Sequence, residues 1–305
     1  MRIVLIGQAA FGEAVLAKLV ESREDVVAVF CPPDPPGSKA NPLRERAEQL
    51  GIPCHQPPKL HDPQVYDLFR RLEPELNVLA FVTDIIPQRL LDLPRLGSIQ
   101  YHPSLLPRHR GGSAINWAIL MGDAVTGLTI FWPDKGIDTG PILLQREVEI
   151  SPDVTVGSLY FNKLFPLGVE ALVESVRLVR EGRAPRIAQD ESQATYEGLC
   201  REPQRLDWSR PYLDVYRVIR GNNPSPSAYS EFRGKRVRIF DSEARAGGAG
   251  EPGSVVDVGP TGFTVAAPGG GILVKRVQPE GSPKIKAPEF VQAVDLKVGD
   301  KFGES

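Results

Sequence analysis

The sequence predicts an α/β protein in two parts: a doubly wound sheet with helices on both faces, followed by a small β-barrel of the OB type. Three observations predict it. Through the first half, short apolar runs alternate with helical stretches of roughly ten residues. After Trp208 the pattern changes to short β-rich runs separated by turn residues. The 305 residues suit two domains at roughly 100 to 200 residues each. The boundaries expected are 1–204 for the α/β domain and 205–305 for the barrel.

The first strand is the apolar run 2–6, closed by Gly7; beyond Gly12, Val15, Leu16, Leu19 and Val20 recur at helical spacing. Further strands are expected over 25–31, 52–54, 76–82 and 97–101, with helices over 43–50, 63–72 and 88–93 between them. That alternation argues for parallel strands. A Pro-punctuated loop, 102–112, leads into a helix over 113–121 with Ser113 as its N-cap. Strands over 127–132 and 141–150 enclose a tight loop. The helical pattern over 156–181 should kink or split at Pro166. The polar stretch 182–202 reads as a linker. A helix over 212–220 ends at Gly221, and barrel strands are expected over 235–240, 253–258, 263–267 and 272–277.

With 41% hydrophobic and 24% charged residues, disorder and collagen are excluded. Thirty-six basic against 38 acidic residues lack the excess that holds a phosphate backbone. No apolar stretch reaches about 18 residues, and the N-terminus reads as strand and helix instead of a leader, so a cytoplasmic protein without a membrane segment is expected. Cys31, Cys54 and Cys200 are an odd set with no CxxC pair, read as free thiols. His55 and His61 have no metal partner at ligand spacing, so no metal is expected.

GQAAFG, residues 7–12, lacks the middle glycine of a dinucleotide fingerprint and any GK[ST] ending, and reads as a tight strand-to-helix turn. GSIQYHPSLLPRHRGG, residues 97–112, is more informative. His102 falls just past an apolar strand, where an imidazole can exchange protons near neutral pH, although a structural histidine fits the same place. Gln100, two residues earlier, projects to the same side by strand alternation. In DKGIDTG, residues 134–140, Asp138 can project from a glycine-rich turn, or can simply form it. Taken together, a carboxylate, an imidazole and an amide on neighbouring strand ends suit attack on an acyl carbon.

HPSLLPRHRGGSAINWAI followed by GIDTGPILL resembles the folate-dependent formyltransferases. VLIGQAAFG, ELNVLAF, TIFW, ATYEG and IRGNN extend the resemblance over essentially the full length, and it is strongest to the hydrolase domain of formyltetrahydrofolate dehydrogenases. The resemblance implies a Rossmann-like formyltransferase domain carrying 10-formyltetrahydrofolate as donor and releasing tetrahydrofolate, with His102 and Asp138 as the catalytic pair. It places the pterin against the loop at Asp84, Ile85 and Ile86; from the residues alone, this loop reads as a helix N-cap followed by two core side chains. Formyltransferases of this kind usually carry Asn where this chain has Gln100, and the dehydrogenase domain carries an apolar residue. Glutamine keeps the amide but moves it by about 1.5 Å.

The acceptor implied is water, a separate acyl-carrier thiol or a small amine. Residues 206–305 hold 14 Lys plus Arg against 12 Asp plus Glu, too even a balance to favour tRNA. A methionyl-tRNA formyltransferase and a catalytically weak folate-binding protein are the alternatives. Arg108 and Arg110 are expected as phosphate or carboxylate contacts, and His109 as non-catalytic.

Overall fold

The computed structural model describes residues 1–248 and 250–303. Its first compact unit comprises 1–111, 126–148 and 161–196. In chain order it begins β1 (Arg2–Gly7), α1 (Ala9–Glu21), β2 (Asp25–Phe30), α2 (Pro42–Gln49) and β3 (Cys54–His55). There follow α3 (Pro63–Leu72), β4 (Leu76–Ala80), α4 (Gln88–Leu91) and β5 (Ser98–His102). After α5 (Ala114–Leu120) come β6 (Val125–Phe131) and β7 (Ile142–Glu149).

The seven strands form one sheet, ordered β3-β2-β1-β4-β5-β6-β7. β1 runs as a continuous apolar strand because both of its faces are covered. Ile3 and Leu5 pack with Leu16 and Leu43, while Val4 and Ile6 pack with Phe69 and Leu90 on the other side. Order reverses at β1, whose neighbours are β2 and β4, and ligands of such sheets bind at the carboxyl ends beside that switch point. Gly7 is required there: a Cβ on it would lie 2.3 Å from the Ala80 carbonyl oxygen.

Two expectations are corrected, the direction of one strand and the capping role of Ser113. The sheet is mixed, since β6 runs antiparallel to β5, pairing Gln100 with Phe131 and His102 with Thr129. Ser113 precedes α5, but in a left-handed conformation with no capping bond; its hydroxyl instead accepts from the Cys200 N–H. As expected, the helical pattern around Pro166 splits, into α6 (Val156–Leu159), a π-helical turn Tyr160–Leu164 and α7 (Phe165–Arg180), because proline cannot donate to the turn before it. Cys31 and Cys54 are free thiols, as expected, although the pairing of β2 with β3 brings their sulfurs to 3.7 Å across a wide sequence separation.

The second unit comprises 112–125, 149–160 and 197 onward. It holds β8 (Gln204–Arg205), α8 (Tyr212–Gly221), β9 (Ala228–Phe232), β10 (Lys235–Ile239) and β11 (Ser242–Ala246). β12 (Val255–Gly259), β13 (Gly262–Ala267), β14 (Gly270–Val274), β15 (Arg276–Pro279), β16 (Ile285–Lys286) and α9 (Ala287–Val294) complete it. Two sheets, β16-β15-β10-β9-β8 and β11-β14-β13-β12, enclose one core containing Trp208, Phe232, Phe263 and Phe302, consistent with an OB-like barrel. The run expected over 272–277 is divided between the two sheets at Lys275, whose N–H bonds Asp241.

Candidate active site

β1, β4 and β5 are parallel neighbours, so their carboxyl ends share one edge of the sheet, and His102 is the last residue of β5. Its side chain is buried, 6% exposed. Nε2 lies 2.8 Å from the His109 carbonyl oxygen, which can only accept, so Nε2 carries a hydrogen. Nδ1 faces Asp138, 3.4 Å from Oδ2. With Nε2 committed to a carbonyl, Nδ1 is the nitrogen left for proton exchange.

Asp138 is delivered by the turn between β6 and β7. Asp134 organises that turn, its Oδ1 accepting from the Gly136 N–H and the Thr139 hydroxyl. Gly140 admits a close backbone approach, since a Cβ there would stand 1.7 Å from the Trp132 carbonyl oxygen. Asp138 adopts φ 54°, and its carboxylate is largely buried. Oδ2 accepts from the Gly111 N–H at 2.8 Å. One short segment therefore addresses both side chains: the carbonyl of His109 receives His102, and the N–H of Gly111 donates to Asp138.

The loop before that segment is pinned from inside the sheet. The Thr129 hydroxyl, fully buried, donates to the Ser104 carbonyl and accepts from the Leu106 N–H, and the Gln145 amide donates to both Thr129 and the Leu106 carbonyl. These groups went unnoticed in the sequence because a threonine and a glutamine on strands carry no spacing signal for such a role.

Gln100 is half-buried, and its alternation with the core residues Ile99 and Tyr101 puts it on the same face as His102. Its carboxamide makes no hydrogen bond among the described residues, and neither it nor residues 84–86 bonds to His102 or Asp138. Asp84 borders a small cavity of about 50 Å³ beside the switch point, with Gln8, Phe30, Cys31, Pro32 and Phe81. Asp84 does not cap α4, whose preceding residue is Pro87. Ile85 is 89% exposed, while Ile86 belongs to the core with Phe69 and Leu90.

For Arg110 the expectation of a ligand contact is corrected. Arg110 is buried and meets a carboxylate within its own unit: Nη1 and Nη2 donate to Glu191 at 2.9 and 2.6 Å, and Nη1 also donates to the Tyr196 hydroxyl. These bonds hold Arg110 charged and hold the Glu191 carboxyl below its ordinary value. The stretch expected as a linker is thus part of the site region as far as Tyr196. Thr195 contributes too, its carbonyl accepting from the Arg110 N–H and its hydroxyl from the His109 N–H. The segment is polar because its polar groups are spent internally.

No three His, Cys, Asp or Glu side chains among the described residues gather as metal ligands. No helix there is long and apolar enough to cross a membrane.

The chain joins a mixed, doubly wound sheet, with a buried imidazole–carboxylate pair at its strand ends, to a β-rich unit. The chain belongs to the formyl transferase family, matching it over residues 1–176, with that family's C-terminal domain over 199–294. It is 40% identical over 311 residues to cytosolic 10-formyltetrahydrofolate dehydrogenase of Xenopus laevis, covering 97% of this chain and 34% of that protein. It is 37% identical over 309 residues to methionyl-tRNA formyltransferase of Geotalea daltonii, covering 99% of this chain and 98% of that one. The chain spans about a third of the length of the dehydrogenases it matches. HypX from Aquifex aeolicus, solved in complex with tetrahydrofolic acid, shares the fold, with TM-score 0.70 at 19% identity over 99% of this chain and 48% of that one.

Proposed function

We propose that this protein takes the formyl group from 10-formyltetrahydrofolate, yielding tetrahydrofolate, and passes it to water or to a carrier thiol. The observation that carries the reading is the buried His102–Asp138 pair, 3.4 Å apart, with Nε2 of the imidazole tied to a carbonyl. Asp138 Oδ2 is engaged by Gly111, whereas Oδ1 has no hydrogen bond among the described residues and is the oxygen to receive a proton from the nucleophile. The nucleophile then attacks the formyl carbon. Gln100 donates to the developing oxyanion from the face it shares with His102. As the intermediate collapses, the proton collected by Asp138 crosses to His102 Nδ1, which passes it to the departing folate nitrogen. With water as nucleophile the balance is one formyl-folate and one water consumed, and one tetrahydrofolate and one formate produced. The pterin is assigned to the loop of Asp84, Ile85 and Ile86, of which Asp84 lines the cavity beside the switch point and Ile85 is exposed. Residues 1–204 are assigned to catalysis, 205–305 to the appendage, and the compartment to the cytoplasm.

A second reading, formyl transfer to an aminoacyl-tRNA, is favoured by one feature. In the second unit an open cavity of about 310 Å³ carries two arginines, Arg236 and Arg238, against one carboxylate, Glu280, with Gln278 and Ser282 beside them, a net basic setting for an anionic acceptor. The test is single-turnover mixing with 10-formyltetrahydrofolate, following tetrahydrofolate and formate, with and without initiator methionyl-tRNA. Formate release without acceptor supports the hydrolase reading, and release only with tRNA supports the second. Full activity in either His102→Ala or Asp138→Ala refutes the assigned roles, and folate binding without turnover under all conditions identifies a folate-binding protein.

A further inference from the structure

We propose that Gln189, oriented by the buried Arg110 guanidinium, is a positioning residue that fixes the backbone of Asp138 so that its carboxylate meets His102. The inference rests on the reading of Asp138 as the group that activates the nucleophile.

Asp138 sits at φ 54°, a region that residues other than glycine seldom occupy, so something must hold it there. The turn's own Asp134 bonds Gly136 and Thr139 and leaves the peptide of residue 138 alone. The Gln189 amide does bond it: Nε2 donates to the Asp138 carbonyl at 2.8 Å and to the Gly140 carbonyl at 2.7 Å, bridging the two sides of the turn.

An amide can flip, and a flipped Gln189 would set its oxygen against two carbonyls. Arg110 prevents this, since its Nε and Nη2 donate to Gln189 Oε1 at 3.1 and 2.8 Å, and two cationic donors accept only the oxygen end. Glu191 fixes the far side of the guanidinium. Arg110 is also the residue between the His109 carbonyl and the Gly111 N–H. Its side chain therefore sets the backbone of Asp138 through Gln189, while its flanking peptide groups set the His102 ring and the Asp138 carboxylate. The two halves of the pair, 36 positions apart, are referenced to a single residue.

The test uses the full chain in single-turnover reactions with 10-formyltetrahydrofolate. It compares wild type with Gln189→Glu, Gln189→Met, Asp138→Asn, and each Gln189 variant combined with Asp138→Asn. Glutamate repels both carbonyls and methionine lacks the donors. Either is expected to slow the first-order rate on the order of 100-fold, as a displacement of about 1 Å does, with donor half-saturation within about twofold. In the Asp138→Asn background the same changes are expected to alter the rate by less than about twofold, because a residue acting only through Asp138 has nothing left to position. A further large loss there overturns the inference, as do a wild-type rate in the Gln189 single variants and failure of both to fold by circular dichroism. A normal Gln189 variant beside an inactive Asp138→Asn refutes the inference alone. A fully active Asp138→Asn refutes the reading of Asp138 and the inference with it.

Discussion

Replacing Gly140 with alanine tests whether the catalytic turn depends on close backbone contact. The new Cβ would begin 1.7 Å from the Trp132 carbonyl oxygen and 2.8 Å from its carbon, both backbone atoms of the segment leaving β6. A carbon–oxygen contact relaxes at about 3.3 Å, so the turn must move by about 1.6 Å. Asp138 is two residues away, and its 2.8 Å bond from Gly111 and its 3.4 Å contact with His102 cannot both survive a shift of that size. A displacement of about 1 Å costs on the order of 100-fold in rate, so Gly140→Ala is expected to lower single-turnover formyl release at least that much. The overpacking itself is expected to cost about 1 to 3 kcal/mol, measured by urea denaturation. Gly182→Ala is the control: nothing lies within 4 Å of its Cβ and its φ is +67°, so it is expected to lose some stability and keep its rate. A Gly140→Ala protein turning over within threefold of wild type refutes the argument that this contact sets the position of Asp138.

Two further outcomes are expected. Gln100→Leu should lower the rate on the order of 100-fold with little change in donor affinity, the usual loss on removing one oxyanion donor, and an unchanged rate would remove Gln100 from the mechanism. Burial beside Phe30, with ring centroids 5.0 Å apart, lowers the His55 pKa below its ordinary 6.5. The unfolded chain therefore binds more protons, so the contribution of His55 is fully present above pH 6.5 and is lost as pH falls through the lowered folded value. His55→Leu should flatten the fall of the urea midpoint as pH drops below about 6.5, and an undiminished slope there would show that another group sets it.

What the sequence determined by itself follows from signals that are local. Period-two and period-3.6 spacing, with glycine and proline punctuation, gave the strands and helices of the first half nearly in place, because both faces of each strand or one stripe of each helix must be apolar. The same locality exposed His102 and Asp138 as candidates, each at a strand end or glycine-rich turn. Strand direction was not local: an apolar run reads alike forwards and backwards, and only pairing set β6 antiparallel to β5. Nor was the division of the run over 272–277 between two sheets, which depends on which neighbours each half finds. The meeting of His102 with Asp138, and of Cys31 with Cys54, required the sheet to bring distant segments into register. The reading of residues 182–202 failed for the most instructive reason. Polar composition marks a linker when its groups bond to water, whereas Gln189 bonds the turn that carries Asp138, and Glu191 and Thr195 bond Arg110 and His109. Composition records which groups can form hydrogen bonds, and tertiary structure alone decides with what.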